Sequence, residues 1–245
     1  MSLSNRQIKL INSLHSKKGR KENLLFLVEG EKCIEELLKS NWAYEILVLN
    51  ENLRSSFENL SNVFFLSEDQ IKKYSALQSN SFGFAVVHIN ENPESNLHLK
   101  GINIYLDGIR DPGNLGTIVR ICDWYGINTI YVSEDTTDFY NPKTIISTMG
   151  SFTRVNVIST ALHTIIENNP EIQVLGTFLE GESIYQIKFP QDMLIVLGNE
   201  SNGIRQETEN LIRQKITIPR IGGAESLNVG ISTAIVIDNI IRGKS

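Results

Sequence analysis

The first ninety positions of the chain switch between two hydrophobic periods. Apolar residues at helical spacing predict helices over Asn5 to Ser16, Glu31 to Lys39, Asn52 to Leu60 and Ser67 to Tyr74. Short apolar runs predict strands between them, at Leu24 to Val28, Tyr44 to Leu49, Val63 to Leu66 and Ser81 to Ile89. The basic stretch Lys17 to Lys21 interrupts the first helical pattern and is predicted to be a loop. Strands that alternate with helices over this length predict a small α/β sandwich.

A second pattern begins after a stretch without any period. Residues 91–101 are rich in turn-forming side chains and are predicted to be a linker between a domain of residues 1–90 and one of residues 102–245. Strands are predicted at Ile102 to Leu106, Thr129 to Val132, Val174 to Phe178, Met193 to Leu197 and Lys215 to Ile218. Helices are predicted near Leu115 to Tyr125, Ala161 to Glu167, Arg205 to Arg213 and Leu227 to Arg242. This alternation predicts a mostly parallel sheet flanked by helices.

Composition narrows the class of protein. With 245 residues, 41% of them hydrophobic and 21% charged, the chain is typical of a globular protein. The formal net charge of −5 argues against a nucleic-acid partner, but it is unevenly distributed. The first 21 residues carry six basic side chains and no acidic one, which leaves −11 for the rest of the chain. The basic side chains are Arg6, Lys9, Lys17, Lys18, Arg20 and Lys21.

Compartment and redox chemistry follow from what the sequence lacks. Cys33 and Cys122 are far apart and lie in apolar-periodic stretches, so we expect two buried thiols in a reducing compartment. No apolar run is long enough for a membrane span, and the polar, basic N-terminus does not resemble a signal peptide. We therefore expect a cytoplasmic protein. The four histidines show no spacing typical of metal ligands or of a nucleophile partner, and no metal site is predicted.

Polar, glycine-rich segments follow three of the predicted strands of the second domain, at residues 107–120, 198–203 and 219–229. Each could be a simple turn, and Ser226 is a natural N-cap for the last helix, whereas Asn228 has no evident structural reason to be an amide. The first segment lacks the glycine order of a dinucleotide loop and the Lys-Ser/Thr of a P-loop, which argues against a dehydrogenase or a kinase. Ligands of parallel sheets bind at the carboxyl ends of strands, so the three segments together predict one composite site.

The residues in these segments form three ordered motifs. They are Asn114-x-Gly116-x-x-x-Arg120, then Leu197-Gly198-Asn199-Glu200-x-x-Gly203, then Ile218-Pro219 with Ser226-Leu227-Asn228-Val229. In order and spacing they resemble the SpoU-type (TrmH-like) RNA ribose 2'-O-methyltransferases of the SPOUT superfamily, from about Ile102 to the C-terminus. The stretch Phe26 to Gly30 is similar to the small ribosomal-protein-like domain with which several members of this family bind their substrate.

The resemblance implies a fold and a co-substrate. The SPOUT fold implies a deep trefoil knot, expected here from about Val174 to Val236, which general rules of chain topology would not predict. It implies S-adenosylmethionine as methyl donor, bound largely through backbone groups, without a metal. The matching positions are Thr177, Leu197, Gly198, Asn199, Gly203, Ile218, Ser226, Leu227 and Asn228. It also implies a homodimer built through the knotted domain.

The resemblance further implies catalytic roles. The family assigns the central role to the arginine that matches Arg120, often described as a general base. Because arginine is effectively always protonated, we expect Arg120 to bind the adjacent phosphate and to stabilise the oxyanion as it forms. Asn114 would fix the first loop and the ribose, and Glu200 would orient Arg120 or the donor. Ser226 and Asn228 would complete the pocket.

The RNA substrate is the least determined part. Phosphate contacts are expected from Lys17, Lys18, Arg20, Lys21 and Arg110. The appended N-terminal domain, and the end of the chain straight after the last helix, favour 23S ribosomal RNA. A tRNA ribose methyltransferase is the alternative enzyme. A non-catalytic RNA-binding module of the same fold is the alternative of another class, although all five candidate catalytic residues are present.

Overall fold

The computed structural model describes residues 3–90 and 98–244. The strands are β1 Leu25–Glu29, β2 Tyr44–Asn50, β3 Val63–Leu66, β4 Gly83–His88, β5 Ile102–Asp107, β6 Thr129–Val132, β7 Asn156–Ser159, β8 Gln173–Ser183, β9 Met193–Gly198 and β10 Gln214–Thr217. The helices are α1 Asn5–Ser13, α2 Lys17–Asn23, α3 Glu31–Lys39, α4 Arg54–Phe57, α5 Glu68–Tyr74, α6 Pro112–Trp124, α7 Pro142–Ser147, α8 Leu162–Asn168, α9 Gln206–Glu209 and α10 Val229–Lys244. Two compact units result: residues 1–91 with 138–153, and residues 92–137 with 154–245.

The first unit is the predicted α/β sandwich. Its sheet has the strand order β1-β4-β2-β3, in which β4 is antiparallel to both neighbours and β2 and β3 are parallel. On one side, Ile11 and Leu14 near the N-terminus and Ile71 of α5 pack with inward-facing strand residues such as Val48 and Phe84. Alternating strand residues thus bury one face of the sheet under helices.

The predicted loop Lys17 to Lys21 is a helix in the structure, and this expectation was wrong. The Ser16 hydroxyl accepts a hydrogen bond from the amide of Gly19 and caps α2. Gly19 also explains the error, because a Cβ there would lie 2.0 Å from the carbonyl oxygen of Ser13, so only glycine allows α2 to approach the end of α1. Helix α2 therefore contains a glycine, a residue whose low helix propensity argues against a helix in the sequence.

Residues 138–153 belong to the first unit, whereas the sequence placed them in the second domain. Tyr140 and Phe152 pack against Phe26 of β1 in tilted and edge-to-face arrangements, with ring centroids 4.8 and 6.1 Å away. The Cys33 thiol of α3 lies 3.6 Å from the carbonyl oxygen of Ile145. The segment therefore covers the side of β1 that α3 also covers. Sequence periodicity cannot reveal this packing, because the partners lie more than a hundred residues apart.

The second unit confirms the predicted parallel sheet. Its strand order is β10-β8-β9-β5-β6-β7, and every neighbouring pair is parallel. The central strands β5 and β9 are almost continuously buried, as expected when helices cover both faces. The chain runs outward from β5 to β7 and then crosses to the other side of β5. The carboxyl ends of β5 and β9 therefore lie side by side where the direction of winding changes, which is where such sheets bind ligands.

Several predicted boundaries differ from the observed ones. Strand β7 and helix α7 were not predicted, the segment Asn52 to Leu60 contains only a 3-10 turn and the short α4, and α9 is four residues long. Residues 91–97 of the predicted linker lie outside the described residues. Leu99, predicted as linker, is buried in the core of the second unit, and its amide donates to Asn169 Oδ1. Cys33 and Cys122 are both buried and free, as predicted.

Candidate active site

Three loops of the second unit carry the candidate residues, and each starts where a strand ends. They connect β5 to α6, β9 to α9 and β10 to α10. The Asp111 carboxylate caps α6 by accepting from the amide of Asn114 (2.9 Å), and Pro112 occupies the first turn, where its missing N–H costs nothing. This cap fixes Asn114 in the first turn of α6.

A chain of side-chain hydrogen bonds joins the three loops. Asn228 Nδ2 donates to Asn114 Oδ1 (2.9 Å), and Asn114 Nδ2 donates to Glu200 Oε1 (2.8 Å). The Asn114 side chain accepts through its oxygen on one side and donates through its nitrogen on the other. The hydrogen bonds therefore all run in one direction, from Asn228 through Asn114 to the carboxylate of Glu200. The structure therefore brings together Asn114, Glu200 and Asn228, which are more than a hundred residues apart at the extremes.

Asn228 has a structural role that the sequence analysis gave to Ser226. Asn228 Oδ1 accepts from the amides of Gly230 (2.9 Å) and Ile231 (3.3 Å), so it is Asn228 that caps α10, and the helix begins at Val229. The expectation that Ser226 caps this helix was wrong. The same amide group thus caps α10 and holds Asn114. Ser226 itself is exposed, two residues before the cap.

Glu200 lies at the tip of a tight turn. The backbone N–H and C=O of Asn199 pair with those of Gly203 at 2.9 and 3.0 Å, and Gly203 has a positive φ of 68°. A Cβ on Gly198 would lie 2.3 Å from the backbone of Gly203, so the base of the turn closes only over glycine. Asn199 Oδ1 accepts from the amide of Ser201 inside the turn. Asn199 and Gly203, predicted to contact the donor, therefore have their polar groups engaged in building the turn.

Arg120 is placed on the exposed side of α6, eight residues after the helix begins. Within the described residues, no ion pair or hydrogen bond joins its guanidinium to another side chain, so the expected contact with Glu200 is not formed. One turn before it, the Thr117 methyl group would lie 3.1 Å from a Cβ on Gly230, which places this face of α6 beside the start of α10. Arg120 therefore presents a positive charge next to the joined loops.

The segment from Ile218 to Leu227 fits recognition of a nucleoside through the backbone. Residues 219–227 are all exposed, and their backbone N–H and C=O groups form no hydrogen bond with other backbone groups in the described part of the chain. Apolar side chains accompany them: Ile221 is fully exposed and Leu227 is 48% exposed. The carbonyl oxygen of Ala224 accepts from the Arg220 guanidinium (3.2 Å). Exposed backbone donors and acceptors beside apolar surface are what an adenine edge requires. The residues present thus fit the implied donor.

The remaining positions predicted to contact S-adenosylmethionine differ in which of their groups a ligand could reach. Thr177 is half-buried, and its hydroxyl donates to the carbonyl oxygen of Val196 (3.3 Å). The Leu197 side chain is 1% exposed within β9, so only backbone of this residue could reach a ligand. Gly198 lies at the end of that strand, opposite Asp107. These positions share the carboxyl edge of the sheet with the joined loops.

The candidate RNA contacts divide into exposed and buried side chains. Lys17, Lys18 and Lys21 are exposed on α2, and Arg110 is exposed after β5. Arg20 is 3% exposed: its guanidinium donates to Asp138 Oδ2 (2.6 and 3.0 Å) and to the carbonyl oxygen of Leu14 (2.7 Å). A buried arginine with these partners cannot reach a phosphate. The prediction that Arg20 contacts RNA was therefore wrong. Arg20 forms a structural ion pair with Asp138 within the first unit.

Among residues 3–90 and 98–244, no cluster of three or more histidine, cysteine, aspartate or glutamate side chains is arranged to hold a metal ion. None of the helices in these ranges combines the length and apolarity needed to cross a membrane.

Burial raises the pKa of the Cys122 thiol to about 12 and that of Cys33 to about 11, so both are protonated at neutral pH.

Sequence reasoning assigned no role to two charged residues beside this site. Asp107, the last residue of β5, is fully buried, and its partner is Arg205, two residues after Gly203, which closes the turn that carries Glu200. A carboxylate at the end of a buried strand needs a hydrogen-bond donor or a cation as partner, so the sequence alone indicated that Asp107 has one. The identity of the donor, 98 positions later, was not readable from the sequence.

A parallel α/β unit with polar loops joined at the carboxyl ends of its strands, next to an exposed arginine, is typical of α/β domains that bind a ligand at this edge of the sheet. Comparison with known proteins specifies it further: residues 101–238 match the SpoU rRNA Methylase family, and residues 5–81 match the MRM3-like substrate binding domain. The chain therefore belongs to the SpoU rRNA methylase family, which confirms the resemblance drawn from the three motifs.

Individual relatives agree with this assignment. The 23S rRNA (guanosine(2553)-2'-O)-methyltransferase RlmP of Bacillus subtilis (strain 168) is 32% identical over 241 residues, which cover 96% of each chain. A putative RNA methyltransferase of the TrmH family from Porphyromonas gingivalis is 32% identical, with a TM-score of 0.88 over 100% of both chains. An AdoMet-bound rRNA methyltransferase from Sinorhizobium meliloti is 27% identical, with a TM-score of 0.85 over 99% of this chain and 96% of that one.

Proposed function

We propose that this protein methylates a ribose 2'-hydroxyl of 23S ribosomal RNA, on a guanosine, with S-adenosylmethionine as donor. The observation that carries the proposal is the hydrogen-bonded chain Asn228–Asn114–Glu200 beside the exposed Arg120. The similarity to RlmP over 96% of the chain supports the choice of ribosomal RNA and of guanosine. The enzyme would act in the cytoplasm.

When bound, S-adenosylmethionine supplies a sulfonium methyl group; its transfer to the 2'-oxygen breaks the carbon–sulfur bond, and the hydroxyl proton leaves to water or phosphate. The exposed backbone of residues 219–227, with Ile218, the end of β9 and Thr177, would hold the donor. Arg120 binds the phosphate next to the reacting ribose and stabilises the negative charge that develops on the 2'-oxygen. No proton transfer is asked of the guanidinium, because it stays charged at neutral pH.

The other site residues position these groups. Asn114 donates to Glu200 and thereby fixes the carboxylate with one oxygen, Oε2, left to accept a ribose hydroxyl or a donor amine. Asn228 holds Asn114 from the other side, and Ser226 presents its hydroxyl two residues before. Holding the reacting groups in line accounts for a large part of the acceleration that such a transfer needs.

The first unit would bind the RNA. Its match to a substrate binding domain over residues 5–81 supports this role. The α2 lysines, namely Lys17, Lys18 and Lys21, present three exposed positive charges within five residues of helix and would contact phosphates. In the second unit, Arg110 would make a further phosphate contact near the candidate active site.

Two properties expected of the family belong to the proposal. We infer a homodimer through the second unit, because Trp124 of α6 is 85% exposed and Ile231 of α10 is 54% exposed, which leaves apolar surface on two neighbouring helices. A monomer by analytical ultracentrifugation would contradict this. The trefoil knot between about Val174 and Val236 is also retained as a prediction.

The test is methyl transfer by the purified protein. We expect tritium from labelled S-adenosylmethionine to enter 23S rRNA, and digestion of the product to give 2'-O-methylguanosine. Arg120→Ala should abolish transfer, whereas Arg154→Ala, which removes an exposed arginine paired with Asp123 in the same unit, should not. Transfer to tRNA alone would favour the alternative substrate, and RNA binding without transfer would indicate a non-catalytic module.

A further inference from the structure

Two adjacent residues at the end of β5 hold the turn that carries Glu200 at both of its ends. The carbonyl oxygen of Gly108 accepts from Asn199 Nδ2 (2.6 Å), at the start of the turn. The carboxylate of Asp107 accepts from Arg205, at the end of the turn. Glu200 lies between these two attachments. The position of its carboxylate relative to β5 therefore depends on both.

The attachment at Arg205 is the stronger one. Asp107 Oδ2 accepts from the backbone amide of Arg205 (2.9 Å), and Oδ1 accepts from Nε (2.9 Å) and from the terminal guanidinium nitrogen. Asp107 has no solvent exposure, so its charge is compensated mainly by this one side chain. Hydrogen bonds between two charged groups are stronger than those between neutral ones, and here the carboxylate is buried while 38% of the Arg205 side chain is exposed.

A second carboxylate orients the guanidinium from the exposed side. Asp135 Oδ1 lies 3.3 Å from Arg205 Nη1 and also accepts from the Ser133 hydroxyl (2.8 Å). The Ser133 oxygen in turn accepts from the amide of Gly108 (2.8 Å). Gly108 has a positive φ of 73° and would bring a Cβ to 3.2 Å from Asp135 Oδ2, which favours glycine there. The loop after β6 thus closes the arrangement around Arg205.

We propose that Arg205 is a positioning residue of the methyl transfer, which sets the place of the Glu200 carboxylate through its bonds to Asp107. The inference rests on the proposed function. The observed partners of Arg205 include the carboxylates of Asp107 and Asp135, and its role is to fix the chain just after the turn. Glu200, within that turn, accepts a hydrogen bond from Asn114. A displacement of this carboxylate by a fraction of an ångström would misplace the transfer geometry, to which rates are sensitive.

The test compares Arg205→Lys and Arg205→Gln with Arg154→Gln. Lysine keeps the charge but loses the two-pronged contact, and glutamine loses both. Arg154→Gln is the matched control, because it removes a guanidinium that makes three contacts to Asp123, in the same unit. Folding is checked by circular dichroism, and donor affinity by calorimetry with S-adenosylmethionine and no RNA.

We expect Arg205→Gln to lower kcat at least about tenfold and Arg205→Lys to lower it less, with the KM for RNA and the affinity for donor within about threefold of wild type. Arg154→Gln should keep the wild-type kcat. A folded Arg205→Gln with wild-type kcat, or a loss confined to KM, would overturn the proposal. If Arg205→Gln does not fold, a wild-type kcat in Arg205→Lys overturns it equally. Absence of transfer by the wild-type protein would instead refute the proposed function.

Discussion

Asn228 performs two tasks with one amide group, and two substitutions separate them. Its Oδ1 caps α10, and its Nδ2 donates to Asn114. Asn228→Ala removes both the cap, worth about 1 kcal/mol, and a side-chain hydrogen bond worth about 1 kcal/mol. For a chain of 245 residues, this loss of about 2 kcal/mol corresponds to a fall in Tm of roughly 4–8 °C.

Asn228→Asp keeps the acceptor that caps α10, and a negative charge at a helix N-terminus stabilises by about 0.3–1 kcal/mol. The substitution removes the donor to Asn114, however. Asn114 then lies between the new carboxylate at position 228 and that of Glu200, and its single amide nitrogen can donate to only one of the two. The bond to Glu200 involves a charged acceptor, so its loss is worth about 1.5–3 kcal/mol, or roughly 10- to 100-fold in rate if fully expressed in the transition state.

Thermal unfolding and kcat for methyl transfer, measured on both variants, test this reasoning. We expect Asn228→Asp to melt above Asn228→Ala, because it keeps the cap of α10, and to lose at least tenfold in kcat; Asn228→Ala should lose the cap as well as rate. The reasoning is refuted if Asn228→Asp is as active as the wild type. It is also refuted if Asn228→Asp melts as low as Asn228→Ala, since the cap would then not depend on the oxygen.

Three further predictions concern other parts of the chain. Replacing the α2 lysines by glutamine should weaken RNA binding and lower the slope of log K against log salt by about 2 for single-stranded contacts, with donor affinity unchanged in calorimetry; an unchanged slope would remove them from the interface. Arg20→Gln should instead destabilise the first unit by about 3–5 kcal/mol in denaturant titrations, because it leaves a carboxylate without its partner; a stability loss under 1 kcal/mol would contradict the buried ion pair. Gly198→Ala should cost at least about 1–3 kcal/mol, since its Cβ meets backbone at 2.3 Å, whereas Gly222→Ala, with nothing within 4 Å, should melt like the wild type.

The sequence predicted those parts of the fold that depend on local pattern. The strands β3 and β6 lie where their short apolar runs predicted, and the three polar segments after β5, β9 and β10 meet as the rule for parallel sheets requires. The order of strands and the reversal beside β5 are consistent with the class of fold inferred from the alternation of elements.

What the sequence could not predict depends on contacts between distant residues. Ser226 and Asn228 are both good N-cap residues by type. In the structure Asn228 is the cap of α10, and it also donates to Asn114, a residue that lies far away in the sequence. Arg20 appeared to be part of a solvated basic stretch because Asp138 lies 118 positions further on. Local propensity contains no information on such pairs, and they determine which charges remain available to a ligand.

Mapping of 2'-O-methyl groups in the RNA of a deletion strain and its parent tests ribose methylation of 23S rRNA most directly. We predict that one 2'-O-methylguanosine of 23S rRNA is lost on deletion. We also predict that the wild-type gene restores this group and that a gene carrying Arg120→Ala does not. Identical ribose methylation of 23S rRNA in both strains, or a loss found only in tRNA, would contradict it.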